Sequence, residues 1–222
     1  MLRAGGPAER ARRMRAERLP GGPGEPAGGT SAESTQNHQE HPLTVELRVD
    51  PTPAGHPALG LRPWRDSDIE PLIGIYRDPL LRKWTRLHVT GAEDGARWMA
   101  VQSDGWRTGQ RLSFAVLEGD RLVGNVAVKR GAVPSECAEV GYWTAAEARG
   151  RGIASRAVAA LTDWAFDTLD GVTRLELLHQ IDNTASCRVA EKTGYVYRRT
   201  LAARPPFPLD GHQHIREAPR PR

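Results

Sequence analysis

The segment Arg149-Gly150-Arg151-Gly152-Ile153-Ala154-Ser155 puts arginines and glycines together in one short turn, a combination that suits an anion. Glycine lets a backbone come close to a ligand, and the arginines add formal charge at the same place. Ahead of the turn, Val140, Tyr142 and Trp143 have strand character; behind it, Ile153, Ala157, Leu161 and Trp164 repeat at helical spacing. A helix starting near Gly152 leaves its first N–H groups unpaired and its positive end facing the turn, so the segment reads as a phosphate cradle. Glu139 precedes Gly141 on one face of the same strand, where a carboxylate can take a proton from an amine or fix its position, or simply lie at the surface. Asn183 and Ser186 stand one turn apart at the head of a later helix, where a local role as N-cap and third helical residue is also open. His179 is a second candidate base because it titrates near neutrality, although a lone histidine is more often structural.

Two familiar phosphate motifs do not fit. A Walker loop ends in Gly-Lys-Ser/Thr, which occurs nowhere in the chain, and a dinucleotide fingerprint needs a third glycine where Ser155 stands. What the residues match is Arg/Gln-x-x-Gly-x-Gly/Ala, from Arg149 to Ala154.

These groups have to be held by a framework, and the pattern of residues predicts one. Leu59-Gly-Leu-Arg-Pro-Trp begins a strand, Asp66 opens a capped helix running towards Tyr76, and Gly91 to Arg107 is a second helix. Arg111–Glu118 and Arg121–Lys129 form a hairpin about Gly119-Asp120, and a strand near Ala138–Thr144 leads into the turn. After the helix that follows, Thr173–His179 is a strand, Asn183–Thr193 a short helix closed by Gly194, and Tyr195–Leu201 and Gly211–Glu217 are the last strands. This order predicts a mixed α/β sheet with helices packed on it.

The turn and the later helix together resemble the GNAT superfamily of acetyl-CoA-dependent N-acyltransferases. Gly141-Tyr-Trp before the turn belongs to the likeness, and Asn183-Thr-Ala-Ser186-Cys-Arg-Val-Ala-Glu191-Lys-Thr-Gly194-Tyr195 is similar to the Asn-x-x-Ser…Glu-Lys-x-Gly-Phe block of the branch containing ribosomal-protein N-terminal acetyltransferases. The resemblance spans about Leu59 to Glu217. It implies a mostly antiparallel central sheet with helices on both faces and a splayed strand pair at the cofactor site. It also implies that Arg149, Gly150, Arg151, Gly152, Ile153, Ala154 and Ser155 hold the pyrophosphate of coenzyme A, with Tyr142, Trp143 and Thr144 along the same ligand. Asn183 would touch the pantetheine arm and Ser186 would help the thiolate leave. A backbone N–H within Gly141–Trp143 would serve the oxyanion, which makes Tyr142 a catalytic candidate beside Ser186 and Glu139. The branch's glutamate five residues before the asparagine is replaced here by Leu178. Trp84, Arg82 and Trp143 are the expected walls of the acceptor pocket, with a peptide or small-molecule amine as acceptor.

Composition bounds the alternatives. Residues 1–40 hold Gly, Pro, Arg, Ser and Glu with few large apolar side chains, so disorder is expected there and in 218–222, with 41–58 as a linker carrying a possible short strand. The net charge of +4 permits an anionic ligand, and nucleic acid is not expected as partner because no reader motif accompanies the charge. Cys137 and Cys187 are far apart and in no ligand spacing, so neither a disulfide framework nor a bound metal is expected. No apolar run reaches the length of a membrane span, and a cytoplasmic protein, monomeric or homodimeric, is the expectation. Two other classes stay open: a non-catalytic acyl-CoA-binding or regulatory module, and a ribosome- or RNA-associated protein using the basic tail. The Asn183 and Ser186 pair favours catalysis, since a sensor needs only the cradle.

Overall fold

The computed structural model describes residues 45–131 and 135–219; the expectations for residues 1–40 and for the last three residues lie outside them. An eight-stranded sheet runs in the order β1-β2-β3-β4-β5-β6-β8-β7. The strands are β1 (Leu47–Val49), β2 (Leu59–Pro63), β3 (Arg111–Glu118), β4 (Arg121–Lys129), β5 (Cys137–Thr144), β6 (Arg174–Gln180), β7 (Val196–Leu201) and β8 (Gly211–Glu217). Every pairing is antiparallel except β5 with β6, so the sheet is mixed and mostly antiparallel. The short strand in the expected linker is the edge of this sheet: Leu47 pairs with Leu61 and is buried, so the sheet begins before Leu59.

Among the described residues, five helices cover it: α1 (Ile69–Ile75), α2 (Pro79–Trp84), α3 (Ala92–Thr108), α4 (Ile153–Thr168) and α5 (Thr184–Lys192). The expected helix from Asp66 starts with a turn of 3-10 helix, Asp66–Asp68, before α1. Helix α2 was not foreseen. It is opened by Asp78, whose carboxylate accepts from the Leu80 and Leu81 N–H groups at 3.0 and 3.2 Å, and by Pro79, whose fixed φ suits a first turn.

Strands β3 and β4 lie in the middle and are buried on both faces, which is why Leu112–Val116 and Leu122–Val128 carry almost no charged residue. One face packs Phe114, Val126, Val128 and Val140 against Ala157, Val158, Leu161 and Trp164 of α4. On the other, α1, α2 and α3 enclose Leu72, Tyr76, Leu81, Trp98 and Met99 with Trp64 and Trp143. Burying polar atoms there requires partners, and they are present: Asn125 Oδ1 accepts from Ser113 Oγ at 2.8 Å and from Trp64 Nε1 at 3.0 Å. Arg62 reaches Asp68 through two bonds of 2.7 and 2.8 Å, fixing the corner between β2 and α1.

The feature that matters for a ligand lies at the parallel pair. Strands β5 and β6 run in register from Cys137 opposite Arg174 to Val140 opposite Leu177, then part. Beyond that point β5 stays with β4 as far as Thr144, and β6 stays with β8 as far as Gln180. The expected splay is therefore a wedge-shaped break in the ladder, opening immediately before the glycine turn.

Candidate active site

The wedge is continuous with a cleft of about 380 Å³. Its walls are Tyr142–Thr144 of β5, the glycine turn with the start of α4, one side of α5 from its cap Asn183 to Lys192, and Leu80, Leu81 and Trp84 of α2. Gly150 and Gly152 have φ of 74° and 73°, a region that other residues rarely adopt, and space in front of both is open to beyond 4 Å. Gly152 caps α4, so the N–H groups of Ile153, Ala154 and Ser155 face the cleft end without helical partners. An anion seated against this turn meets donors and the positive end of the helix dipole, and the glycines leave it the room, so the residues fit a diphosphate.

At the wedge, β5 contributes backbone. The Ala145 N–H donates to Val123 O of β4 at 2.9 Å, and alternation along the strand then turns the Tyr142 and Thr144 N–H groups away from β4, towards the gap. The Tyr142 side chain crosses to α5, donating from its hydroxyl to Ser186 Oγ at 2.9 Å. Ser186 is 8% exposed, and its backbone N–H is taken by the Asn183 cap, the Oδ1 lying at 3.3 Å. Asn183 therefore caps α5, while the Ser186 hydroxyl turns to Tyr142 instead of back to the cap. Burial pushes the Tyr142 phenol up to about 12, so it stays a donor across the physiological range.

The acetyltransferase (GNAT) domain family model matches residues 58–196. The chain belongs to the GNAT acetyltransferase family. It is thus an acetyl-CoA-dependent N-acyltransferase, and solved members of the family share its fold. Ribosomal L7/L12 alpha-N-protein acetyltransferase RimL in complex with coenzyme A is 19% identical, with 72% of this chain and 93% of that chain covered and a TM-score of 0.65. Mycobacterium smegmatis RimJ in complex with CoA-disulfide is 23% identical over 77% of this chain and 87% of that one, at a TM-score of 0.64. The ribosomal-protein-S5-alanine acetyltransferase from Vibrio fischeri is 19% identical over 72% and 93%, also at 0.64. No curated protein matches at the level of sequence.

Within this GNAT domain, the structure brings together on one cleft Trp84, Tyr142, Trp143, Thr144, Arg149, Gly150, Gly152, Ile153, Ala154, Ser155, Asn183 and Ser186. Three expected residues stand off it. Arg151 turns to the β3–β4 hairpin and donates to both oxygens of Glu118, at 2.5 and 2.7 Å. Arg82 is exposed on α2 and does not line the cleft. Glu139 lies on the face of β5 opposite Tyr142 and is paired with Lys129 at 2.5 Å. Arg149 lines the cleft, but its guanidinium is engaged by Asp78, the cap of α2. Trp143 serves both as wall and as core, its ring 6.1 Å from those of Trp64 and Tyr76.

Other cleft residues escaped the sequence. Ala185, Arg188, Val189 and Lys192 form one stripe of α5, legible as i, i+3, i+4, i+7 once Asn183 is set as cap. Leu80 and Leu81 had only the Asp78-Pro79 start signal. His179, read as a lone histidine, is not alone. It stands with Cys187, His212 and His214 in a cluster that could ligate a metal.

Proposed function

We propose that this enzyme acetylates the free α-amino group of a protein or peptide by direct attack on acetyl-CoA in a ternary complex. The observation that carries the proposal is the convergence of the wedge, the open glycine turn and the Tyr142–Ser186 pair on one cleft. The peptide class of acceptor is favoured by the fold shared with ribosomal-protein acetyltransferases.

Acetyl-CoA would lie with its diphosphate at Gly150–Ser155 and its thioester at the wedge. As the amine nitrogen bonds to the carbonyl carbon, charge grows on the oxygen, and the Tyr142 N–H in the gap is the donor best placed to meet it. The C–S bond then breaks. A thiolate whose conjugate acid titrates near ~8.5 is too weak a base to pull a proton from a buried phenol or a serine, so the pair works by hydrogen bonding. Ser186 donates to the sulfur while Tyr142 donates into Ser186, and the proton shed by the amine reaches the thiolate through solvent. Arg188 and Lys192 add positive charge along the same wall. Glu139 borders the opposite face with Lys129, where it can orient an incoming amine without touching the thioester.

A thiol-release assay with a panel of amines tests this reading. Peptides with free N-termini are expected to release CoA and gain one acetyl group at the α-nitrogen by mass spectrometry, with N-terminally blocked peptides inert. Turnover confined to polyamines or aminoglycosides would overturn the peptide class, and none with any amine would overturn catalysis itself.

A further inference from the structure

His179 of β6, Cys187 of α5, and His212 and His214 of β8 meet so that one ligand atom from each lies within 4.8 Å of all the others. His179 Nε2 is 3.2 Å from His214 Nε2. Cys187 Sγ is 3.5 Å from His179 Nε2 and 3.5 Å from His212 Nδ1. A tetrahedral zinc ion with bonds of about 2.0–2.3 Å holds its ligand atoms roughly 3.3–3.8 Å apart, close to these three separations, and the remaining ones reach no more than 4.8 Å.

The placement follows from the sheet. His179 and His212 are cross-strand partners, so both project from one face, and His214 follows His212 by one strand period. Helix α5 lies over that face and lowers Cys187 onto it. The ring of His179 is also set for ligation. Its Nδ1 is 2.8 Å from Gln180 O, and a carbonyl can only accept, so Nδ1 carries the proton and Nε2 presents its lone pair to the centre. His214 is 3% exposed, its ring stacks on that of His179 with centroids 5.2 Å apart, and its Nδ1 is buried without a hydrogen-bond partner. Among the described residues, no carboxylate is hydrogen-bonded to any of the three imidazoles, which contact one another, the thiol and the Gln180 carbonyl.

We propose that His179, Cys187, His212 and His214 are a binding site for a borderline divalent transition metal, zinc by donor set, in a closed four-ligand arrangement. Nitrogen and sulfur donors exclude calcium and magnesium, which take oxygen. Four protein ligands leave no position for a water, so the ion is structural: it ties α5 to β6 and β8. Since Cys187 directly follows Ser186, the tie fixes the helix turn that carries the Ser186 hydroxyl. A divalent ion would hold the Cys187 sulfur as thiolate.

The test does not depend on acetyl transfer. Full-length protein freed of metal by a chelator is titrated with Co²⁺, then with Zn²⁺. One equivalent of Co²⁺ should produce the intense visible bands of a tetrahedral site and a near-ultraviolet thiolate charge-transfer band, both bleached by one equivalent of Zn²⁺. Cys187→Ser should remove the charge-transfer band, and Cys137→Ser should retain it. Absence of the bands in folded wild-type protein, or survival of the charge-transfer band in Cys187→Ser, would overturn the site. Should Cys187→Ser fail to fold, alkylation of the wild-type chain decides: Zn²⁺ protecting Cys187 and sparing Cys137 none supports the proposal, and equal labelling with and without Zn²⁺ rejects it.

Discussion

Ser186 has its backbone N–H in the Asn183 cap and its hydroxyl oxygen against Tyr142, which leaves its own proton free for a third partner. A structural cap needs no such arrangement. If the pair donates to a departing thiolate, Ser186→Ala removes a hydrogen bond to a charged group, worth roughly 1.5–3 kcal/mol. The expected result is a loss of about ten- to a hundredfold in kcat, with KM for acetyl-CoA changed by no more than about twofold. Tyr142→Phe should cost a similar factor, and the double variant little more than either alone, because the two hydroxyls act in series. Steady-state kinetics on the four proteins checks this; multiplicative losses would show that they act separately. Arg149 differs. Its type and position suggest charge for a phosphate, whereas its side chain is held by Asp78, which leaves the proposed diphosphate to the backbone donors of the turn.

Helix α2 is the element that depends on that pairing. It is six residues long, forms one wall of the cleft, and is tethered at both ends: Asp78 to Arg149 at the start, and Lys83 to Asp182 at 2.7 Å near its end. The Asp78 carboxyl is pushed up by burial, but the Arg149 hydrogen bond and the Leu80 and Leu81 N–H groups outweigh this and leave it below the usual range. A carboxylate with a depressed folded value contributes stability above its unfolded value, near ~3.9, and loses it as pH falls through the folded value. Asp78→Asn keeps the cap oxygen and removes the charge, so about 1 kcal/mol or less should be lost at neutral pH, a drop of a few degrees in Tm. Melting curves should show that gap closing below about pH 4, and a gap that persists in acid would separate the stability of α2 from this ion pair. Elements with a sustained period, the β3–β4 hairpin, β5, α4 and α5, were legible in the sequence. Helix α2 was not, because six residues are too few to show a repeat. The histidine site was hidden for another reason: its ligands come from three elements, and only His212-x-His214 is a local signal. The insertion of β8 between β6 and β7 brings them together, and no local pattern announces that strand order.

Across the whole domain, β5 is the hinge of the design. It pairs with β4 from Glu139 to Thr144 and with β6 from Cys137 to Val140, so a single strand joins the two parts of the sheet and opens the wedge. Its two faces differ: Tyr142 looks towards α5, while Trp143 packs among the side chains of α1, α2 and α3 and Glu139 pairs with Lys129 on that same face. Among the described residues, no helix is long and apolar enough to cross a membrane. Whether the glycine turn at the end of β5 seats the diphosphate of acetyl-CoA is tested most directly by calorimetric titration of acetyl-CoA into wild-type protein and Gly152→Trp. Saturable one-to-one binding is expected of the wild type, with its loss in a variant that still melts cooperatively, since the indole would fill the space the diphosphate needs. Binding of equal affinity in both proteins, or no binding by the wild type, would contradict it.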